Sequence, residues 1–221
     1  MGLSRIERRI WIFLAIQLIV SILLNIVIYY VGRDQIHLLI NSHYSETGDL
    51  LFPYITWLGD GITAGVVALV ALLFNVRFGL IIGFSGLLSG MMSQFFKKVV
   101  FGPLPRPSAY FEQKNIALHL VENVDMATIY TFPSGHSATA FAIMFSIIMI
   151  SKQVGLNVIL YLLAVLAAYS RVYLSQHFVE DTIAGSWLGI ISAILCYFIF
   201  VNSGLSKAQR LDQPLFNKLM L

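Results

Sequence analysis

Long apolar runs without charge constrain this chain more than any other feature. From Ile10 to Val31 about 22 residues pass without a charged side chain, enough for a helix rising about 1.5 Å per residue to cross a hydrocarbon core. Further largely apolar runs, charged only near their ends where they are charged at all, follow at 61–74, 78–98, 134–151, 156–174 and 181–201. Over the whole chain 58% of residues are hydrophobic and 11% charged, where a soluble domain carries about a quarter charged. The expected fold is all-α: an integral membrane protein with six transmembrane helices in one bundle, a single domain over residues 1–221 with a tail at 202–221. A secretory signal would show a shorter apolar region of about 7 to 15 residues and a small-residue cleavage site. The first run shows neither and reads as a retained span at 10–31.

The lone cysteine, Cys196, lies in an apolar run, which excludes a disulfide framework and a cysteine metal site. A net charge of +3 gives no support to nucleic-acid binding. Gln17, Ser21 and Asn25 recur every fourth residue in the first run and read as hydrogen-bonding groups between helices. Residues 32–60 read as a polar connection on the membrane surface, with Tyr54 and Trp57 suited to headgroup level. Asp60, before Gly61, reads as the cap of the second span, a catalytic role being the alternative. Asn75, Val76 and Arg77 read as a tight turn. Gly79, Gly83, Gly86 and Gly90 form a small-residue stripe that admits a neighbouring helix.

The arrangement across the bilayer follows from charge. With both termini cytoplasmic, the inner face holds Arg5, Arg8, Arg9, Arg77, Lys152, Lys207, Arg210 and Lys218 against Glu7 and Asp212. The other face is left with an acidic excess, as the positive-inside bias requires. All five histidines then lie on that outer side. Lys97, Lys98, Arg106 and Arg171 sit there too, against the topological bias, which marks them for a task.

Two clusters meet on this face. Pro133-Ser134-Gly135-His136 precedes the apolar run from Ala138. Ser134 reads as a helix cap, and the free N–H groups of such a helix start favour an anion at Ser134 and Gly135, with an imidazole beside it. Ser170-Arg171 is followed after five residues by His177 and after three more by Asp181. An arginine at a helix end suits a phosphate. A carboxylate four residues from a histidine can hold one ring nitrogen and leave the other free as a nucleophile. Two histidines, an aspartate and several cations around a helix N-terminus fit in-line displacement at phosphorus, which needs positioning and charge neutralisation more than a cofactor or a metal. A zinc site would need three or four converging ligands.

These motifs resemble those of the type 2 phosphatidic acid phosphatase family, the membrane lipid phosphate phosphatases that share a site with vanadium haloperoxidases. Pro133 to His136 and Ser170 to Asp181 match its second and third motifs. Its first motif spaces Lys and Arg-Pro by six residues, whereas Lys98 and Arg106-Pro107 are separated by seven. The resemblance implies His177 as nucleophile, Asp181 orienting it and His136 as proton donor to the leaving group. Lys98, Arg106, Ser134, Gly135 and Arg171 would bind the phosphate, with Lys97 the alternative to Lys98. It also implies hydrolysis of a lipid phosphate or diphosphate at the outer face of a bacterial-type cytoplasmic membrane, through a phosphohistidine and without metal. Undecaprenyl diphosphate, phosphatidylglycerol phosphate, phosphatidic acid and lipid A phosphates are the candidates. A phosphotransferase, or a non-catalytic membrane binding protein on the same fold, are the alternatives. The expected partner is the lipid in its bilayer; oligomeric state is not legible.

Overall fold

The computed structural model describes residues 8–202 and 209–215. Arg5, Glu7, Lys207 and Lys218 of the charge count, and most of the tail 202–221, lie outside them. The first helix, α1 (Arg8–Val31), is apolar around its circumference and buries only Ile10, Phe13, Gln17 and Ser21. Its polar stripe fixes its register. Gln17 donates to Ser186 Oγ at 2.8 Å and accepts from the Tyr161 hydroxyl at 2.8 Å, and Trp187 Nε1 donates to Ser21 Oγ at 3.0 Å. Asn25 instead donates back to the Ser21 carbonyl of its own helix.

Residues 32–60, expected as a surface connection, are mostly helical. Gly32, at φ +89°, turns the chain out of α1 and α2 (Arg33–Ser42) follows. Ser45 caps α3 (Glu46–Ile55) by accepting from Gly48 N, with Glu46 and Asp49 in the first turn, the favourable end for acidic groups. A 3₁₀ turn, Thr56–Gly59, leads into α4 (Gly61–Phe74), bent by 57° from the segment before it. Asp60 caps α4, its Oδ1 accepting from Ile62 N at 2.7 Å.

Asn75 alone separates α4 from α5 (Val76–Phe95), capping it through Phe78 N. The expected tight turn is thus shorter, and Arg77 already lies inside α5. There it is buried and pairs with Asp212 at 2.6 Å. Residues 209–215 fold back under this turn, with Val76 N donating to Gln213 O at 3.2 Å and Leu215 N to Leu72 O at 3.2 Å. That part of the expected tail is docked. A π-helical turn, Phe96–Phe101, prolongs α5, and α6 (Pro107–Gln113), α7 (Gly135–Ile150), α8 (Val154–Tyr173) and α9 (Val179–Asn202) complete the chain.

Among the described residues four helices are long and apolar enough to cross a membrane: α1, α5 with its π turn, α8 and α9. Of the six expected spans, α4 reaches that length only together with the bent segment before it, and α7 has 16 residues. The short length of α7 goes with its surroundings. It is the central element, packed against α9, α5, α8 and α4 and buried along most of its length, so neighbouring helices rather than lipid match its surface. On the α9 side Gly185 and Gly189 permit the approach; a Cβ at either would collide with the Ser134 or Ala138 carbonyl. The stripe on α5 meets α4 at Gly79, Gly83 and Gly86, against Leu72, Ala68 and Ala64, but Gly90 faces open space. The two helices part there and leave a groove of about 750 Å³, bordered by Gly61, Gly90, Gln94 and Thr139.

Candidate active site

The turn after α8 sets the geometry. Ser175 adopts a left-handed conformation, φ 51°, and the N–H groups of Gln176 and His177 both donate to the Arg171 carbonyl, at 2.9 and 3.1 Å. The wrap returns His177 to the end of α8, four residues ahead of Asp181 in the first turn of α9. His177 Nδ1 lies 3.2 Å from Asp181 Oδ2. The same oxygen accepts from Phe178 N at 2.9 Å and from the Thr131 hydroxyl. His177 and Asp181 are 1% and 2% exposed, so the pair is shielded from water. Burial, and then the positive charges of Arg106, Lys97 and Arg171, hold the His177 imidazole well below its ordinary pKa. A neutral ring whose Nδ1–H is held by a carboxylate presents its Nε2 lone pair to an electrophile.

Helix α7 brings the second cluster. Ser134 caps it, accepting from Ser137 N at 3.3 Å and from the Ser137 hydroxyl at 2.9 Å. The Ser134 amide is not free for an anion, however, because it donates to the Asp181 carbonyl at 2.9 Å. This corrects the expected cradle. Ser134 ties the start of α7 to α9, and α7 itself begins at Gly135. His136, second in α7, places Nε2 3.9 Å from Asp60 Oδ2.

The cations arrive from three elements. Lys98 is exposed, whereas Lys97 is 5% exposed and its Nζ lies 4.0 Å from where a Gly135 side chain would begin. The cause is helical phase: the buried face of α5 runs Ser85, Ser89, Ser93, and a further step of four reaches Lys97. Arg106, in the loop after the π turn, donates through Nε to the Ile129 carbonyl at 3.0 Å and through Nη1 to Gln176 Oε1 at 2.9 Å. Burial pushes the Arg106 pKa down, but a guanidinium starts so high that it stays charged. Arg171 donates from Nη1 to Thr56 Oγ1 at 2.7 Å, and its Nε finds no hydrogen-bond partner among the described residues. Among the described residues no three His, Cys, Asp or Glu side chains converge as a metal site.

The structure therefore brings together His177, Asp181, His136, Arg106, Arg171, Gly135 and Ser134, and of the two lysines it places Lys97, not the exposed Lys98, beside Gly135. It adds groups that the sequence reading passed over. Thr131, 3% exposed, links the two motifs through Asp181; its place two residues before Pro133 was the only hint. Gln176 braces Arg106 and donates to the Asp125 carbonyl at 2.9 Å. His37 on α2 lies behind the site, its Nε2 3.1 Å from Ser175 Oγ and its ring stacked on Phe111. Burial lowers its pKa to about 4, so it packs as a neutral ring.

Comparison with known proteins bears on the same residues. Lipid A 4'-phosphatase of Bacteroides thetaiotaomicron is 33% identical over 70 residues, 32% of this chain and 31% of that protein. The chain therefore spans less than a third of that relative's length in the match. The crystal structure of Aquifex aeolicus LpxE superposes with a TM-score of 0.64 at 25% identity, covering 73% of this chain and 92% of that one. A transmembrane PAP2-type phosphatidylglycerolphosphate phosphatase from Bacillus subtilis shares the fold, with a TM-score of 0.54 at 20% identity over 89% of this chain and 98% of its own. The sequence model of the PAP2 superfamily matches residues 62–204, from α4 to the end of α9. Since that match takes in most of the chain, including Lys97, Arg106, Ser134 to His136, Arg171, His177 and Asp181, the chain belongs to the PAP2 superfamily.

Proposed function

We propose that this protein hydrolyses the phosphate or diphosphate headgroup of a membrane lipid through a phosphohistidine on His177. The observation that carries the reading is the buried His177–Asp181 pair, 3.2 Å apart, facing Lys97, Arg106 and Arg171 beside the start of α7. His177 Nε2 attacks phosphorus, the three cations and the Gly135 amide hold the charge of the equatorial oxygens, and His136 gives its proton to the leaving oxygen. Water then enters on the leaving side, loses a proton to His136 and frees His177.

The groove between α4 and α5 supports a lipid as the leaving group. It is apolar and is lined in part by Gly61 and Thr139, the first adjoining Asp60 and the second one turn beyond His136. A tail lying there places the ester oxygen next to the proposed acid, opposite His177. The names of the relatives favour anionic lipids such as lipid A phosphates or phosphatidylglycerol phosphate; undecaprenyl diphosphate and phosphatidic acid have the same reactive group. Arg9, donating to the carbonyls of Ile148 and Met149, together with Arg77 and Lys152, gathers at the helix ends away from His177. That polarity supports a multi-pass protein of a bacterial cytoplasmic membrane with the site facing outward.

A phosphate-release panel over these four lipids tests the reading. Release from at least one is expected, unchanged by a chelator and inhibited by vanadate, a trigonal-bipyramidal phosphate mimic. Release abolished by chelation, or none from any lipid in a folded preparation, would contradict it; label passed to a second lipid would make the protein a phosphotransferase. Within the same assay Lys97→Ala is expected to lose about 10²- to 10³-fold in kcat, the usual worth of an oxyanion-stabilising group. Lys98→Ala is expected to stay within about threefold of wild type, as exposed charges away from the reacting atoms commonly do.

A further inference from the structure

Asp60 does more than cap α4. One carboxylate oxygen accepts from Ile62 N at 2.7 Å, while the other lies 3.9 Å from His136 Nε2. The backbone enforces this placement. A Cβ at Gly59 would collide with the His136 carbonyl, so the 3₁₀ turn Thr56–Gly59 lies directly on the first turn of α7. From that turn Thr56 takes Arg171 Nη1 at 2.7 Å. One short segment thus presents a hydroxyl to the phosphate-side arginine and a carboxylate to the second histidine.

The charges around His136 make the carboxylate consequential. Lys97 from the π turn, Arg106 from the following loop, Arg171 from α8 and His177 from the turn before α9 all face it. Burial of the ring and then each of those three cations disfavour its protonated form, and Asp60 lies within reach of the Arg171 charge as well. A proton donor needs its proton, so it needs a negative neighbour.

Resting on the phosphatase reading above, we propose that Asp60 is the positioning residue that makes His136 an acid. It holds Nε2–H, presents Nδ1 to the leaving oxygen and stabilises the imidazolium. His177 Nε2 forms a bond to phosphorus as the P–O bond to the lipid breaks. The leaving oxygen takes the Nδ1 proton of His136, and the N–H electron pair returns to the ring. In the second step water passes a proton to Nδ1 while its oxygen displaces Nε2 of His177, and Asp60 keeps Nε2–H throughout. Catalytic hydrogen bonds of this kind tighten when substrate binds, and closing the 3.9 Å separation needs only a small shift of either side chain.

Asp60→Asn isolates the charge, because asparagine caps a helix as well as aspartate and the bond to Ile62 N survives. The full chain in detergent would be assayed with a lipid monophosphate, whose alkoxide must be protonated to leave, and with nitrophenyl phosphate, whose phenolate leaves unaided. For Asp60→Asn we expect kcat on the lipid to fall about 10- to 100-fold, part of the usual worth of a positioned acid. The alkaline limb of its pH profile should move to lower pH. First-turnover nitrophenolate release should hold within about threefold of wild type, since it bypasses the acid, and Asp60→Glu should recover part of the lipid rate. Equal losses on both substrates with an unmoved alkaline limb would reduce Asp60 to a structural cap, and unchanged lipid turnover would remove it from the reaction. Wild type that releases phosphate from neither substrate would instead overturn the phosphatase reading itself.

Discussion

Replacing His177 with alanine is expected to lower kcat by more than about 10⁴-fold, because a missing nucleophile leaves only binding and charge stabilisation to act on water. Among the described residues the geometry gives no substitute. Asp181 is buried and already accepts from His177, Phe178 and Thr131, and His136 sits across the site against Asp60. Substrate binding should change little, since Lys97, Arg106 and Arg171 keep their positions without the ring. The pH profile carries a sign that follows from burial. His177 is held well below its ordinary pKa, first by desolvation and then by Arg106, Lys97 and Arg171, and its neutral form is the reactive one. In kcat/KM, which reports the free enzyme, the acid-side loss due to His177 should therefore lie below the ordinary imidazole range near 6.5.

His136→Ala should cost about 10²- to 10⁴-fold on a lipid phosphate, and its defect should differ in kind. Without the acid the lipid alkoxide leaves poorly. Nitrophenyl phosphate needs no proton to depart, so it should still load His177 in the first turnover. The phosphohistidine should then persist, because no base takes the proton of the attacking water. Rapid quenching should find phosphoenzyme accumulated in His136→Ala and none in His177→Ala. Equal absence in both variants would mean that His136 is needed to form the intermediate or to hold the site together.

Much of this site was legible because its residues lie in short motifs beside turns. Pro133 to His136 starts a helix and Ser170 to Asp181 ends one and starts the next, so backbone direction alone aims their side chains at a common face. What stayed hidden depended on contacts distant in sequence. The Ser134 amide is committed to Asp181 only because Gly185 lets α9 approach α7. Lys97 was visible in principle through the four-residue stripe of Ser85, Ser89 and Ser93, but motif spacing pointed to Lys98. The apolar runs gave the long helices α1, α5, α8 and α9 by length. The same measure could not show that α7 is enclosed by protein and short, nor that the mixed polar sequence of residues 33–55 folds as α2 and α3, whose His37 and Asn41 reach Ser175 behind His177.

The central claim is that phosphate passes through His177, and the quenched intermediate tests it most directly. The enzyme would be mixed with ³²P-labelled substrate, stopped within the first turnover and digested. The account predicts a covalent label that is stable to alkali and labile to acid, as a phosphorus–nitrogen bond is, on the peptide containing His177 and absent from His177→Ala. A label stable to acid, one on any other residue, or full turnover by His177→Ala would contradict it.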